Sequence, residues 1–297
     1  MTDRKNLLDP NILAKIGNLS LLATTVVEGF IAGLHRSVHR GASVEFSEHR
    51  KYMPGDDLRY IDWKIFARTD RFYVRDFREE TNLKSYILFD VSRSMDYKSG
   101  QLSKLDYGLF LAASLSYLMV RQKDAVGLVL FDSRVQKFIK PASTKIHFHY
   151  LINNLQDVKA GGETALEQVL HSLASHIRRR SLIILISDLW NEPEGIMRGL
   201  SHFRYRHHEV IVFHVLDRQE TDFGFSGSRE FVDLETDERI LCDALTIAKT
   251  YRRQFRELGD FYRKNCFERK IGYVPVPTDK PLDAFLYHYL STRAKYT

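Results

Sequence analysis

Between Tyr86 and Met95 the chain reads Tyr-Ile-Leu-Phe-Asp-Val-Ser-Arg-Ser-Met, so an apolar run ends in the carboxylate Asp90 and two hydroxyls at alternate positions, Ser92 and Ser94. Hard oxygen donors of this kind suit Mg²⁺, with Mn²⁺ or Ca²⁺ as alternatives. A second carboxylate closes a second apolar run, Leu182-Ile183-Ile184-Leu185-Ile186-Ser187-Asp188. Between the two lies Ala160-Gly161-Gly162-Glu163-Thr164, whose glycines let the backbone flex and bring the Thr164 hydroxyl forward as the next helix opens. Singly, each of these residues has an ordinary structural use: a Ser after a strand caps a helix, and a strand-end Asp binds backbone amides. In this order and at these strand ends, Asp90, Ser92, Ser94, Thr164 and Asp188 are expected to share one divalent cation.

The elements that must position them follow from hydrophobic period. After Lys84, short apolar runs alternate with helix-period segments, the pattern of a parallel sheet covered on both faces. Strands are expected over Ser85 to Val91, Ala125 to Phe131, Val135 to Ile139, Ser181 to Ser187 and Glu209 to Leu216. Helices are expected over Leu105 to Arg121, Lys145 to Asp157, Thr164 to Arg178, Pro193 to Tyr205 and Ala244 to Lys270, with a hairpin from Arg229 to Leu234 and Arg239 to Cys242. The fold class is therefore α/β, a doubly wound, mostly parallel sheet, in which the functional crevice lies outside the carboxyl ends of the strands. Upstream, Leu19, Leu22, Ala23, Val26, Val27, Phe30, Ile31 and Leu34 fall on one stripe of a helix that should pack on the core. From Arg36 to Glu80 mixed charges, aromatics and turn signals suggest a small lobe with short strands such as Phe72 to Phe77. The expected division is 1–84 for the helix and charged lobe, 85–243 for the α/β domain, and 244–297 for a basic helical extension packed on the core.

Composition excludes several classes. With 297 residues, 44% hydrophobic and 12% aromatic, the chain can build a packed core and is not disordered. The most apolar stretch, Leu19 to Leu34, carries Glu28 and falls short of the ~18 residues of a membrane span. The first residues lack the apolar core of a secretion signal, and two cysteines cannot form a disulfide framework, so a cytoplasmic, reducing location is expected. The net charge of +6 divides into +2 for residues 1–84, −2 for 85–243 and +6 for 244–297. The positive excess thus sits at the C-terminus, where Arg252, Arg253, Arg256, Arg263 and Lys264 lie off the apolar stripe of Ala248, Tyr251, Phe255, Leu258 and Tyr262.

The order Asp90, Ser92, Ser94, Thr164, Asp188 resembles the metal-ion-dependent adhesion site of von Willebrand factor A domains, Asp-x-Ser-x-Ser followed by a Thr and an Asp. That resemblance implies hydroxyls approaching the metal directly, Asp residues acting largely through water, and a coordination position left open for a partner carboxylate. The stretch before it is similar to the signature of the bacterial family called domain of unknown function 58. The matching residues are Gly33 to Ser37, Gly41 to Phe46, Arg50 to Tyr52, Pro54 to Arg59, Ile61 to Lys64 and Ala67 to Thr69. This second resemblance implies coupling to a von Willebrand factor A-like domain and association with a MoxR-type AAA+ ATPase. Some relatives carry N-terminal membrane spans, so a soluble version is expected here.

Within the signature, Arg50, Asp56, Asp57, Arg59, Asp62, Lys64 and Arg68 place seven charges in 19 residues beside Trp63. They read either as a turn with surface ion pairs, each contributing about 0–1 kcal/mol, or as a partner platform. Together these readings give a non-enzymatic, metal-dependent protein-interaction module or adaptor, and the chief alternative is a phosphoryl-transfer or hydrolytic enzyme using Asp90 as nucleophile. Ser92 stands where haloacid dehalogenase-like phosphatases need a second carboxylate. Gly100 to Lys104 lacks the order of a P-loop, and Gly224 to Ser228 lacks the spacing of a nucleophile elbow. His147, His149, His207 and His208 have no zinc motif around them and are expected to be surface or capping groups. Nucleic-acid binding through the C-terminal helix is a third possibility, and no specific nucleic acid is expected.

Overall fold

The computed structural model describes residues 18–27, 50–51, 63–74, 84–234 and 238–293. Residues Gly33–Asn82 form one compact unit, and Met1–Ala32 together with Leu83–Thr297 form another.

In the smaller unit, β1 (Arg50–Lys51) pairs antiparallel with β2 (Tyr73–Val74). The expected strand from Phe72 is thus seen at Tyr73 and Val74, and residues 75–77 lie outside the described residues. A helix, Trp63–Thr69, carries Phe66, whose ring stacks on Phe72 at 4.5 Å, while Trp63 meets Phe66 edge-on and remains 59% exposed.

The larger unit is built on a six-stranded sheet in the order β10-β7-β6-β3-β4-β5. Its strands are β3 (Lys84–Asp90), β4 (Ala125–Phe131), β5 (Val135–Ala142), β6 (Ser181–Ser187), β7 (Glu209–Leu216) and β10 (Gly272–Pro277). All neighbours run parallel except β4 and β5. Strand alternation sends side chains to two cores. Ile87, Phe89, Ile184, Ile186 and Phe213 face helices Lys104–Arg121 and Lys145–Gln156, and residues 19–27, helical here, add Leu19, Leu22, Ala23 and Val26 to that side. Leu88, Val129, Ile183, Leu185 and Val212 face helices Leu166–His176 and Pro193–Tyr205, and Tyr262 and Cys266 of helix Ala244–Glu268 join them. Burying both sheet faces is what makes these strands read as unbroken apolar runs. The chain leaves β3 toward β4 on one side and later returns to β6 on the other. The strand order therefore reverses between β3 and β6, and that is where a crevice opens in doubly wound sheets.

Two elements depart from the sequence expectations. Gly272–Pro277 adds a parallel edge strand where only a helical extension was anticipated, because Pro275 and Pro277 argue against a strand unless it lies at an edge. Helix Leu282–Arg293 follows, and Leu282 and Leu286 seal the first core. The hairpin forms as expected, with β8 (Ser228–Val232) antiparallel to β9 (Arg239–Asp243), over a small cluster of Phe223, Ala244 and Ala248. Among the described residues no helix is long and apolar enough to cross a membrane.

Candidate metal centre

Asp90 is the last residue of β3 and is fully buried. Its Oδ1 accepts the Ser92 backbone N–H at 3.0 Å and its Oδ2 accepts the Ser187 hydroxyl at 2.6 Å. The Ser187 hydroxyl in turn accepts the Leu189 N–H at 2.9 Å. Adjacent parallel strands β3 and β6 thus end in one hydrogen-bonded knot that fixes the Asp90 carboxylate.

Ser92 precedes a single turn of 3₁₀-helix, Arg93–Asp96, Ser94 lies within it, and both are buried. Although Ser92 occupies the N-cap position, its side chain makes no cap bond, and the two hydroxyl oxygens lie 3.1 Å apart. Capping is done elsewhere: Ser103 and Asp106 close a reciprocal capping box on helix Lys104–Arg121. The ordinary use of a post-strand serine is therefore not the use made of Ser92.

The loop carrying Thr164 is stitched to this turn from one side and to the end of β6 from the other. Gly161 N–H donates to Val91 O at 2.9 Å, Arg93 N–H donates to Gly162 O at 3.1 Å, and the Asn191 amide donates to Thr164 O at 3.0 Å. Gly162 has φ +73°, and a Cβ there would come within 2.7 Å of Asp132 Oδ2, so this crossing requires glycine on both counts. Thr164 itself is buried.

Asp188 follows β6, with its Oδ1 accepting Trp190 N–H at 3.3 Å. Burial, and then the negative charge of Asp188, push the Asp90 carboxyl up to about 7, against the lowering influence of its bonds from Ser187 and Ser92. A buried Asp90 carboxyl raised by the nearby negative charge of Asp188 is one that a bound cation would relieve. Among the described residues no three His, Cys, Asp or Glu side chains are grouped to hold a metal ion, so a cation here depends on hydroxyls. Ser92 and Ser94 could supply them, and with Asp90 they would make a hard, oxygen-only donor set of the kind Mg²⁺ takes.

Three residues of this centre were not anticipated. Lys104, 1% exposed, places Nζ 2.7 Å from Asp188 Oδ2 and 2.6 Å from Glu220 Oε1. Burial alone would depress the Lys104 ammonium, but the two carboxylates outweigh it and hold the group above the ordinary lysine range. Glu220 is pushed up by burial against the pull of Lys104. His214, the one polar side chain inside the buried run of β7, donates from Nε2 to Asp188 O at 2.9 Å and accepts from the Tyr273 hydroxyl at Nδ1, 2.7 Å away. Burial brings its imidazole down to about 4, so it is neutral at pH 7. A lone histidine in an apolar strand was the available signal for His214. A lysine at a helix N-terminus, against the helix dipole, was the signal for Lys104.

Of the residues expected to form a platform, Trp63 and Lys64 open the short helix of the smaller unit, Arg68 lies near its end and Arg50 is in β1. Asp56, Asp57, Arg59 and Asp62 lie outside the described residues. Of the histidines expected to be surface or capping groups, His207 is exposed, and His208 is buried and caps backbone groups, accepting Ser181 N–H and donating to the carbonyl of Ile177, which ends helix Leu166–His176.

The chain matches the family described as Protein of unknown function DUF58 over residues 48–264. It belongs to that family. The uncharacterised protein Rv1480 of Mycobacterium tuberculosis H37Rv is 27% identical over 231 residues, 77% of this chain and 72% of its own length. Mb1516 of Mycobacterium bovis shows the same identity and coverage. Similar solved structures include BatB from Bacteroides thetaiotaomicron, with TM-score 0.47 and 16% identity over 72% of this chain and 99% of that one. The SpRpn10 VWA domain has TM-score 0.38 and 12% identity over 69% and 93%.

Proposed function

We propose that this DUF58 chain is a metal-dependent protein-interaction module. Mg²⁺ would be held by the hydroxyls of Ser92, Ser94 and Thr164 with Asp90 and Asp188 behind them, and a partner carboxylate would complete its coordination. The observation that carries this reading is the pair of buried carboxylates at the ends of adjacent β3 and β6, beside the Ser92 and Ser94 hydroxyls, which lie 3.1 Å apart and of which Ser92 makes no cap bond. Beside Ser94 a cavity of about 120 Å³ is lined by Trp190, Val232 and Leu234 as well as Lys104 and Glu220. A partner acid reaching the ion would therefore meet apolar surface around it, a combination that suits protein recognition.

Binding is favoured over turnover by the state of Asp90. A phosphoryl-accepting carboxylate must present an oxygen to its substrate, whereas here both oxygens are committed and the side chain is inaccessible. The resemblance to DUF58 proteins points to a MoxR-type AAA+ ATPase as the partner, in assembly or remodelling of a further complex. The exposed Trp63 and the charged residues around it would be a second contact surface.

Capture of a MoxR-type ATPase by the full chain and by Asp90→Ala, in Mg²⁺ and in EDTA, tests this. Capture by the wild type in Mg²⁺ alone, lost in Asp90→Ala with the circular dichroism of a folded protein, is the expected result. Equal capture by both proteins in EDTA would defeat the metal bridge.

A further inference from the structure

Lys104 sits in the wall of the same cavity as Ser94, so a fixed positive charge already occupies the neighbourhood in which the cation would bind. It is the first residue of helix Lys104–Arg121, where the exposed backbone N–H groups make a positive charge unfavourable. It is nevertheless almost fully buried, with its ammonium between Asp188 Oδ2 and Glu220 Oε1 and 5.6 Å from the centre of the Tyr97 ring. Packing alone does not call for a lysine here, because a methionine would fill the volume without the cost of burying a charge. What the ammonium provides is a counter-charge for Asp188 that the chain carries with it.

Resting on the cation site proposed above, we propose that Lys104 is a built-in competitor of the divalent ion, holding Asp188 in its absence and ceding Asp188 while retaining Glu220 when the ion binds. Two features of the surroundings support the exchange. Glu220 offers the ammonium a second carboxylate at a slightly shorter distance, so leaving Asp188 does not strand the charge. Glu220 lies on the short helix Arg218–Asp222, which is tied to the turn after Ser94 by Ser99 N–H to Asp217 Oδ2 at 2.9 Å and Tyr97 hydroxyl to Gln219 Oε1 at 3.2 Å. The lysine's alternative partner is thus anchored to the serine-bearing turn itself. Affinity for the ion is then set by how strongly Asp188 is held, and Lys104 determines it.

Mn²⁺ binding to the full chain, followed by electron paramagnetic resonance, tests this with Lys104→Met and Glu220→Gln. Lys104→Met is expected to bind about tenfold tighter or more, since one positive charge leaves the contact shell of Asp188. In EDTA its melting temperature should fall below that of the wild type, because Asp188 and Glu220 lose their counter-charge, and added Mn²⁺ should narrow the gap. Glu220→Gln removes the lysine's alternative partner while leaving the pair with Asp188, and is expected to bind about tenfold more weakly. It also keeps the test decisive if Lys104→Met does not fold. Wild-type binding that neither variant changes, or that Lys104→Met weakens, overturns the role of Lys104 and leaves the cation site standing. Absence of Mn²⁺ binding in all three proteins overturns both.

Discussion

Asp90 concentrates the tension in this molecule. A carboxylate raised to about 7 from its ordinary 3.8 stabilises the fold fully only below 3.8, and that contribution is lost as pH rises through 7. Without a cation, the ionised form is a liability at neutral pH. Asp90→Asn keeps an oxygen for the Ser92 amide and offers an N–H to Ser187. It should therefore be more stable than the wild type in EDTA at pH 8, by about 1–3 kcal/mol, with the difference gone near pH 4. Mg²⁺ should raise the melting temperature of the wild type and leave that of Asp90→Asn unchanged. Urea unfolding with and without Mg²⁺ checks both statements, and a wild type more stable than Asp90→Asn in EDTA at pH 8 would contradict them. At this scale the sequence was informative where side chains follow chain order: Asp90, Ser92 and Ser94 alternate along one strand end and turn. It was uninformative where partners meet across the sheet. Ser187 was visible only as the neighbour of Asp188, and nothing local announces that Lys104 and Glu220 meet 116 residues apart.

Strand and helix boundaries were the most legible feature, because a sheet buried on both faces leaves apolar runs with abrupt polar ends. Ala125–Phe131, Ser181–Ser187 and Glu209–Leu216 fall where the pattern places them. Edges were harder to read: β5 extends to Ala142 through Pro141, and β10 carries two prolines. Gly127, in mid-strand, marks the reason for one irregularity. The β4–β5 register shifts between Val126 and Leu128, and a Cβ at Gly127 would lie 2.6 Å from Ile139 O and 3.0 Å from Pro141 N, both backbone atoms. Gly127→Ala should cost about 1–3 kcal/mol in thermal unfolding, whereas Gly161→Ala, with open space around it, should stay within about 0.5 kcal/mol. Equal melting temperatures would remove the packing argument. His214, within β7, links Asp188 at the end of β6 to Tyr273 of β10. With its imidazole at about 4 in the fold and 6.5 ordinarily, the unfolded chain binds the extra proton. Stability is fully present above 6.5 and is lost as pH falls toward 4. Relative to His214→Gln, the wild type should lose up to about 3 kcal/mol across that window in urea titrations at successive pH values. Parallel pH profiles would show that His214 titrates normally.

On the scale of the whole chain, the reversal of strand order between β3 and β6 explains why Asp90 and Asp188, far apart in sequence, come at the ends of neighbouring strands. The fold delivers both carboxylates to the same end of neighbouring strands, and the loop of Gly161 and Gly162 is bonded to both sides. The positive excess of the C-terminal segment is carried largely by exposed side chains of one helix. Helix Ala244–Glu268 turns Tyr262 and Cys266 into the core and leaves Arg253, Arg256 and Lys264 in solvent, as the apolar stripe implied. The family signature was legible as a whole because it is a dense run of charges, aromatics and glycines, and a chance short motif does not extend over so many positions.

The central claim is a divalent ion held by oxygens from three separated segments, and calorimetric titration of Mg²⁺ into the full chain tests it most directly. Thr164 is the donor reached only through the fold, so Thr164→Ala is the informative variant alongside Asp90→Asn. One ion per chain, with affinity lowered about tenfold or more in both variants, is the expected result. Mg²⁺ binding that neither substitution alters would place the ion elsewhere and contradict the site.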